Sequence, residues 1–297
     1  MHIESANVTD NIYQADNLVE NKIAEICDFK NDTCPLAQAL RYHFECGGSR
    51  TRSNLSYKFS KNFLINEKNA VLLACIPELL HNASLIHDDL QDLDEERREN
   101  LSVWKKFGPD IAICAGDYLI SCAYKCISEL ETKNIKLILQ KVHSHIHTTI
   151  KGQIGDLTQD KNQTLVDVDL YLDISRQKSG ALLAMPLTLA LLYTERLNCI
   201  HAAEEAFNNY ALAYQIYDDI HDIKQDQSKK GIKSGLNIVT IMQRNGEATP
   251  IKAAAELALE KLYIALDFAA KLPLPSNTIL EKEILQMQKK IKVLSTQ

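Results

Sequence analysis

Two runs of carboxylates dominate the chemistry this chain could perform. The first, Leu85-Ile-His-Asp-Asp-Leu-Gln-Asp, sets Asp88, Asp89 and Asp92 in a DDxxD pattern. The second, Tyr214-Gln-Ile-Tyr-Asp-Asp-Ile-His-Asp, repeats it with Asp218, Asp219 and Asp222. On a helix, residues four apart share a face, so Asp88 with Asp92 and Asp218 with Asp222 each present two carboxylates about 6 Å apart. Like charges at that separation repel, and neither pair has Lys or Arg four residues before it. Oxygen-only ligands favour a hard divalent cation, and Mg²⁺ takes one or two carboxylates while keeping water and phosphate oxygens around it. The bland alternative for either run alone is a solvated acidic helix face. Both runs, however, follow apolar stretches, so the acids sit where core-facing helices meet a polar space.

The elements that must carry these runs are helices. Only 10 Gly and 7 Pro punctuate 297 residues, too few for an all-β chain of tight turns. Apolar residues at 45% and charged residues at 24% describe an ordered globular protein. Helical spacing runs through 10–46, 68–93, 110–131, 134–158, 166–193, 200–224, 249–271 and 279–293, broken at Gly47-Gly48, by a polar connection at 97–108 and by a loop at 225–236. No convincing strand pair is visible. The expectation is an all-α protein with one domain over 1–297.

Several functions are disfavoured. A net charge of −6 supplies no cationic excess for nucleic acid. The longest apolar stretch, Ala181 to Tyr193, is too short for a bilayer, which needs about 20 residues. The polar start has no secretory character, so a cytoplasmic location is expected. The eight Cys lack ligand spacing and read as reduced, mostly buried thiols. Of His143, His145 and His147 only the outer two share a helical face, which offers no zinc geometry.

The spacing from Asp88 through Asp92 to Arg97-Arg98 resembles the first aspartate-rich motif of the trans-isoprenyl diphosphate synthases, the polyprenyl synthetase family, and the second DDxxD resembles their second. Further matches follow in chain order. Gly47-Gly-Ser-Arg-Thr-Arg looks like GGKRxR, and Glu78-Leu-Leu-His-Asn-Ala-Ser-Leu-Ile-His-Asp-Asp looks like ExxHxxSLxHDD. Ala115-Gly-Asp-Tyr-Leu, Gly152-Gln-Ile-Gly-Asp and Lys178-Ser-Gly-Ala resemble AGDxL, GQxxD and KT(G/A). The resemblance covers roughly residues 40 to 240.

It implies an isoprenoid synthase-type helical bundle around a central cavity, usually a homodimer, that joins isopentenyl diphosphate to an allylic diphosphate. Asp88, Asp92 and Asp218 would be the Mg²⁺ ligands, three ions binding with the diphosphate, and Asp89 and Asp222 would be outer-sphere partners. Arg97 and Lys178 would bind the allylic diphosphate, with Ser179 and Gln215 near the allylic cation as oxygen dipoles. Arg50, His81 and Arg98 would bind isopentenyl diphosphate. Asp88, Asp89, Asp92, Lys178, Gln215 and Asp218 form the implied catalytic set. Positions four and five before Asp88, where a Phe or Tyr stops the chain early in the family, are Ser84 and Ala83. Both are small, which implies a product of twenty carbons or more unless Leu80, Tyr118 or Cys122 forms a deeper floor.

Ser49 stands where the family has Lys, Ser53 replaces a Pro, Glu99 replaces a Gly, and Gly235-Leu-Asn-Ile-Val-Thr lacks the KxT lysine. These departures touch isopentenyl diphosphate binding and leave the aspartates intact. Two other readings stand beside the synthase: a terpene synthase-like enzyme that ionises a prenyl diphosphate without condensation, and a non-catalytic subunit of a heteromeric synthase.

Overall fold

The computed structural model describes residues 17–29, 32–158, 168–226 and 236–295. Their fold is all-α, with one two-stranded hairpin of two residues per strand. The chain divides into two compact units, Met1–Lys141 with Leu192–Glu195, and Val142–Leu191 with Arg196–Gln297.

The first unit holds α1 (17–26), α2 (Pro35–Glu45), α3 (Thr51–Asn62), α4 (Glu67–Gln91), the hairpin β1 (Glu96–Arg97) and β2 (Asn100–Leu101), α5 (Val103–Phe107) and α6 (Pro109–Ser128). The expected run at 10–46 is two helices, because Asp28 turns left-handed (φ 48°) and Pro35 starts the next helix after Cys34. Residues 10–16 of that run lie outside the described residues. The connection expected at 97–108 contains the hairpin and α5, and the polar α3 went unforeseen.

α4 is the axis of this unit and packs on α3 and α6. It is buried all round, with Leu72, Leu73, Ile76, Leu79 and Ile86 at 0–1% exposure, each contributing about 2 kcal/mol. Asn66 caps its start by accepting from the Asn69 N–H at 2.9 Å. Pro77 sits inside the helix and has no N–H to offer Leu73, four residues back. The buried Ser56 hydroxyl donates to that Leu73 carbonyl instead, at 2.9 Å. α4 and α6 are long and apolar enough to cross a bilayer by length and composition. The α4 window is 78% buried within the structure, as a core helix is.

The second unit holds the end of α7 (Ile135–Thr158), then α8 (Val168–Ser175), a π-helical turn at Arg176–Gly180, α9 (Ala181–Tyr193, to Leu191), α10 (Ile200–Asp226), α11 (Ile238–Arg244), α12 (Pro250–Ala269) and α13 (Ser276–Ser295). α12 presents Ala254, Ala255, Ala258, Ala265 and Ala269 to the core, small side chains that let it pack closely on α10. The run expected at 166–193 is interrupted by the π turn, and most of the loop expected at 225–236 lies outside the described residues.

Candidate active site

In the first unit the acidic run closes α4. The helix ends at Gln91 with Asp92 as its C-cap, and the Asp92 N–H still bonds the Asp88 carbonyl at 2.8 Å, so the four-residue spacing survives the helix end. Carboxylates at a helix C-terminus face the negative end of the macrodipole, which costs stability. Asp88 and Asp92 are half-buried, and Asp89 is buried at 1%. Arg97 grips Asp89, its Nε donating to both carboxylate oxygens at 2.8 Å and its Nη2 to one of them. Burial lifts the Asp89 carboxyl above its ordinary range, and the Arg97 guanidinium opposes that rise.

The hairpin aims the two arginines apart. Arg97 pairs with Asn100, and the turn residues Arg98 and Glu99 both adopt left-handed backbone (φ 53° and 62°), as a two-residue hairpin of this hand requires. Glu99 is exposed, so its charge points to solvent and not at the arginines. Arg98 reaches back to donate to the Gly47 carbonyl, and its guanidinium lies on Gly48, where a Cβ would meet it at 2.8 Å. Gly48 also takes φ 144°, which an L side chain resists.

Arg50, expected to bind isopentenyl diphosphate, has protein partners in this structure. It donates to Glu20 at 3.1 Å, to the buried Glu78 at 3.5 Å and to the Phe44 carbonyl at 3.2 Å. Glu78 also accepts from the Ser53 N–H at 3.2 Å, so the Ser at 53 supplies a donor that a Pro would lack. The sequence reading passed over Arg52. Burial holds the His81 imidazole well below its ordinary range, and Arg52 is the foremost of the neighbouring cations that reinforce this, ahead of Arg98 and Arg97. His81 is therefore neutral at pH 7. His43, bonded to Asn82 at 2.9 Å, is pushed down to about 4 by burial, against that hydrogen bond and with help from Arg98, Arg97 and Arg50. His87, beside Asp88, rests on Gly116 of the AGDxL run, where a Cβ would lie 2.1 Å from its ring. Ala83 is 1% exposed, and the Ser84 hydroxyl turns back to the His81 carbonyl at 2.8 Å. Leu80 and Cys122 are buried, and Tyr118 donates to the Cys27 carbonyl at 3.4 Å.

In the second unit α10 carries the second run. Asp218 and Asp222 are half-buried on one face, and Asp219 is buried at 4%. The donors that hold Asp219 are neutral: the Tyr171 hydroxyl at 2.8 Å, the Ile238 N–H at 2.9 Å and the Gln215 amide at 3.0 Å. Asn237 caps α11 and also donates to the Asp219 carbonyl at 2.9 Å. Burial pushes the Asp218 carboxyl up to about 7, with Asp222 and Asp219 adding to the rise and Lys290 opposing it. Asp219 is pushed up to about 6, again mainly by burial.

The π turn presents Lys178 and Ser179. Such turns widen a helix by one residue and are frequent at functional sites. Lys178 pairs with Asp156 of the GQxxD run at 2.6 Å, and the Leu236 N–H also reaches Asp156 at 3.4 Å. Gly152 of the same run abuts the turn's backbone, since a Cβ there would fall 2.3 Å from the Lys178 nitrogen. Asp156 and Tyr171 are site residues the sequence reading did not single out. Asp156 stood in a quoted motif; Tyr171 gave no local signal.

Among the described residues no group of three or more His, Cys, Asp or Glu side chains forms a ready metal cage. The donor sets still suit a hard cation: each face is oxygen-only, and at Asp218 ionisation is made costly by burial and by neighbouring carboxylates, a cost that divalent charge relieves.

A family model described as polyprenyl synthetase matches residues 34–239. A short chain isoprenyl diphosphate synthase of Methanocaldococcus jannaschii is 29% identical over 253 residues, covering 82% of this chain and 73% of that one. A geranylgeranyl diphosphate synthase of Cyanophora paradoxa is 32% identical over 246 residues, covering 79% and 80%. The crystal structure of geranylgeranyl pyrophosphate synthetase from Pyrococcus horikoshii shares the fold, with a TM-score of 0.82 at 22% identity over 96% of this chain and 99% of that one.

Proposed function

The chain belongs to the polyprenyl synthetase family and is a prenyltransferase, and from that premise we propose that it condenses isopentenyl diphosphate with an allylic diphosphate, head to tail, in a Mg²⁺-dependent reaction. The product is a trans-prenyl diphosphate of twenty carbons or more. The observation that carries this reading is the pair of oxygen-only carboxylate faces, in which burial and the neighbouring carboxylates raise Asp218 to about 7, a rise that added positive charge would relieve.

Breaking the allylic C–O bond moves negative charge onto the departing diphosphate. Lys178 and the Nη1 edge of Arg97, whose other nitrogens face Asp89, are the cations this chain offers to that charge. Asp88, Asp92 and Asp218 would hold Mg²⁺, which supplies further positive charge to the diphosphate when bound. Ser179 and Gln215 offer oxygen dipoles to the allylic cation. The double bond of isopentenyl diphosphate attacks that cation, and loss of a proton restores an alkene. Arg50, Arg98 and neutral His81 address the diphosphate of isopentenyl diphosphate, and Arg52, the foremost cation acting on His81, adds positive charge beside them. The small Ala83 and Ser84 support the longer product.

The test is product analysis with purified protein, Mg²⁺ and radiolabelled isopentenyl diphosphate, offering dimethylallyl, geranyl and farnesyl diphosphates separately. Labelled prenyl diphosphates of twenty carbons or more are expected, and Ala83→Phe should shorten them. Pyrophosphate released with a hydrocarbon or alcohol, and no label incorporated, would favour ionisation without condensation. No turnover at all would favour a subunit of a heteromeric synthase.

A further inference from the structure

The Gln215 side chain has two ends of opposite polarity, and only one suits a developing allylic cation. Its amide nitrogen donates to Asp219 Oδ1 at 3.0 Å. A carboxylate only accepts, so it turns the NH₂ end of the amide inward and leaves the carbonyl oxygen as the end that addresses its surroundings. The other oxygen of Asp219 accepts from the Tyr171 hydroxyl at 2.8 Å and from the Ile238 N–H at 2.9 Å. Tyr171 is 1% exposed, and a phenol so buried needs a hydrogen-bond partner. It stands on α8, five residues before the π turn that carries Lys178 and Ser179.

We propose that Tyr171 is a positioning residue for the condensation: acting through Asp219, its hydroxyl fixes the Gln215 amide with the oxygen end toward the allylic group. The relay is Tyr171 O–H to Asp219 Oδ2, and Gln215 N–H to Asp219 Oδ1. With both oxygens of Asp219 engaged, the carboxylate plane is set, and the amide that donates to it cannot turn over without aiming its oxygen at Asp219 Oδ1. Tyr171 touches no reacting atom itself. The inference rests on the synthase reading, in which Gln215 faces the cation.

The test compares Tyr171→Phe, Gln215→Leu and the double variant, with Mg²⁺, isopentenyl diphosphate and geranyl diphosphate. Wild-type turnover comes first, because its absence overturns the synthase reading and not this relay. In Tyr171→Phe, kcat should fall about tenfold, the cost of a lost buried hydrogen bond, with KM for both substrates within about twofold. In the Gln215→Leu background the same change should alter kcat by less than about twofold, because the group being positioned is gone. Asp219→Asn, which lacks the all-acceptor end, should follow the same pattern and serves if Tyr171→Phe melts at the assay temperature. A tenfold loss in both backgrounds would assign Tyr171 a general structural role and overturn the proposal. Unchanged kcat in Tyr171→Phe would overturn it as well.

Discussion

The two acidic runs share five letters of pattern and differ in everything around them. In the first, the middle carboxylate, Asp89, is paired with Arg97, and burial, reinforced by Arg50, Arg52, Arg97 and Arg98, pushes His43 down to about 4 and His81 well below its ordinary range. In the second, the middle carboxylate, Asp219, is held by a phenol, an amide and a backbone N–H, and burial raises Asp219 and Asp218, with Asp222 adding to both. The first run's buried carboxylate is therefore charge-paired, and the second run's is held by neutral donors alone. One motif is thus placed in two different settings, one in each unit.

The comparison breaks most visibly at the metal-facing acids. Asp88→Ala and Asp218→Ala should each lower kcat/KM about a thousandfold or more, since both remove charge stabilisation of the leaving diphosphate. A large loss in only one of them would reduce the two runs to one functional site and one ornament. The burial of His43 in the first unit, reinforced by its arginines, is tested by pH. His43 binds its proton at about 4 in the native state against about 6.5 when unfolded, so below pH 6.5 the unfolded chain holds more protons. His43's own contribution should be level above pH 6.5 and fall by up to about 3 kcal/mol as pH drops toward 4. Asp218 and Asp219, raised to about 7 and about 6, act with the opposite sign over that range, so the check is the difference between wild type and His43→Gln in urea titrations.

The middle carboxylates give a finer contrast. Asp89→Asn strands the Arg97 charge and should cost about 2 kcal/mol, whereas Asp219→Asn strands no charged partner, since its donors are neutral, and should cost about 1 kcal/mol. Equal losses in urea unfolding would erase the distinction drawn here. The smallest effect belongs to the hairpin. Glu99 is an exposed residue held at φ 62°, a conformation that suits glycine, so Glu99→Gly should raise stability by about 1 kcal/mol and leave turnover intact.

The residues that speak within one helical turn were legible in the sequence. The four-residue spacing of Asp88 and Asp92 needs only a helix to become a face, and the long runs at 68–93 and 200–224 correspond to α4 and α10. α3 escaped because its sequence is polar, with Leu55 and Phe59 as its buried apolar side chains. The hairpin escaped because two residues per strand leave no alternation to detect. Partnerships across distance were out of reach: Tyr171 with Asp219, Ser56 with the carbonyl that Pro77 strands, and Arg98 on Gly48 join residues 48, 17 and 50 positions apart, and no local pattern announces them. Arg50 and Arg52 look alike in sequence, and only folding decides which of them pairs with Glu20 and Glu78. The thiols were expected to be mostly buried. All eight are free, but four are buried, three are half-buried and Cys114 is exposed.

That uneven burial gives the protein a built-in clock. Seven of the eight cysteines belong to the first unit. Cys27, Cys75, Cys122 and Cys126 are buried there, with the Cys122 thiol on the Ile26 carbonyl and the Cys75 thiol on the Val19 carbonyl. A thiol-selective dye should modify Cys114 at once and reach these four only as α1, α4 and α6 come apart, because they are sealed from reagent and Cys27 and Cys75 resist deprotonation. Counting labels by mass against time would then read the opening of the first unit directly, with no engineered probe, while the second unit, which has Cys199 alone, stays nearly silent.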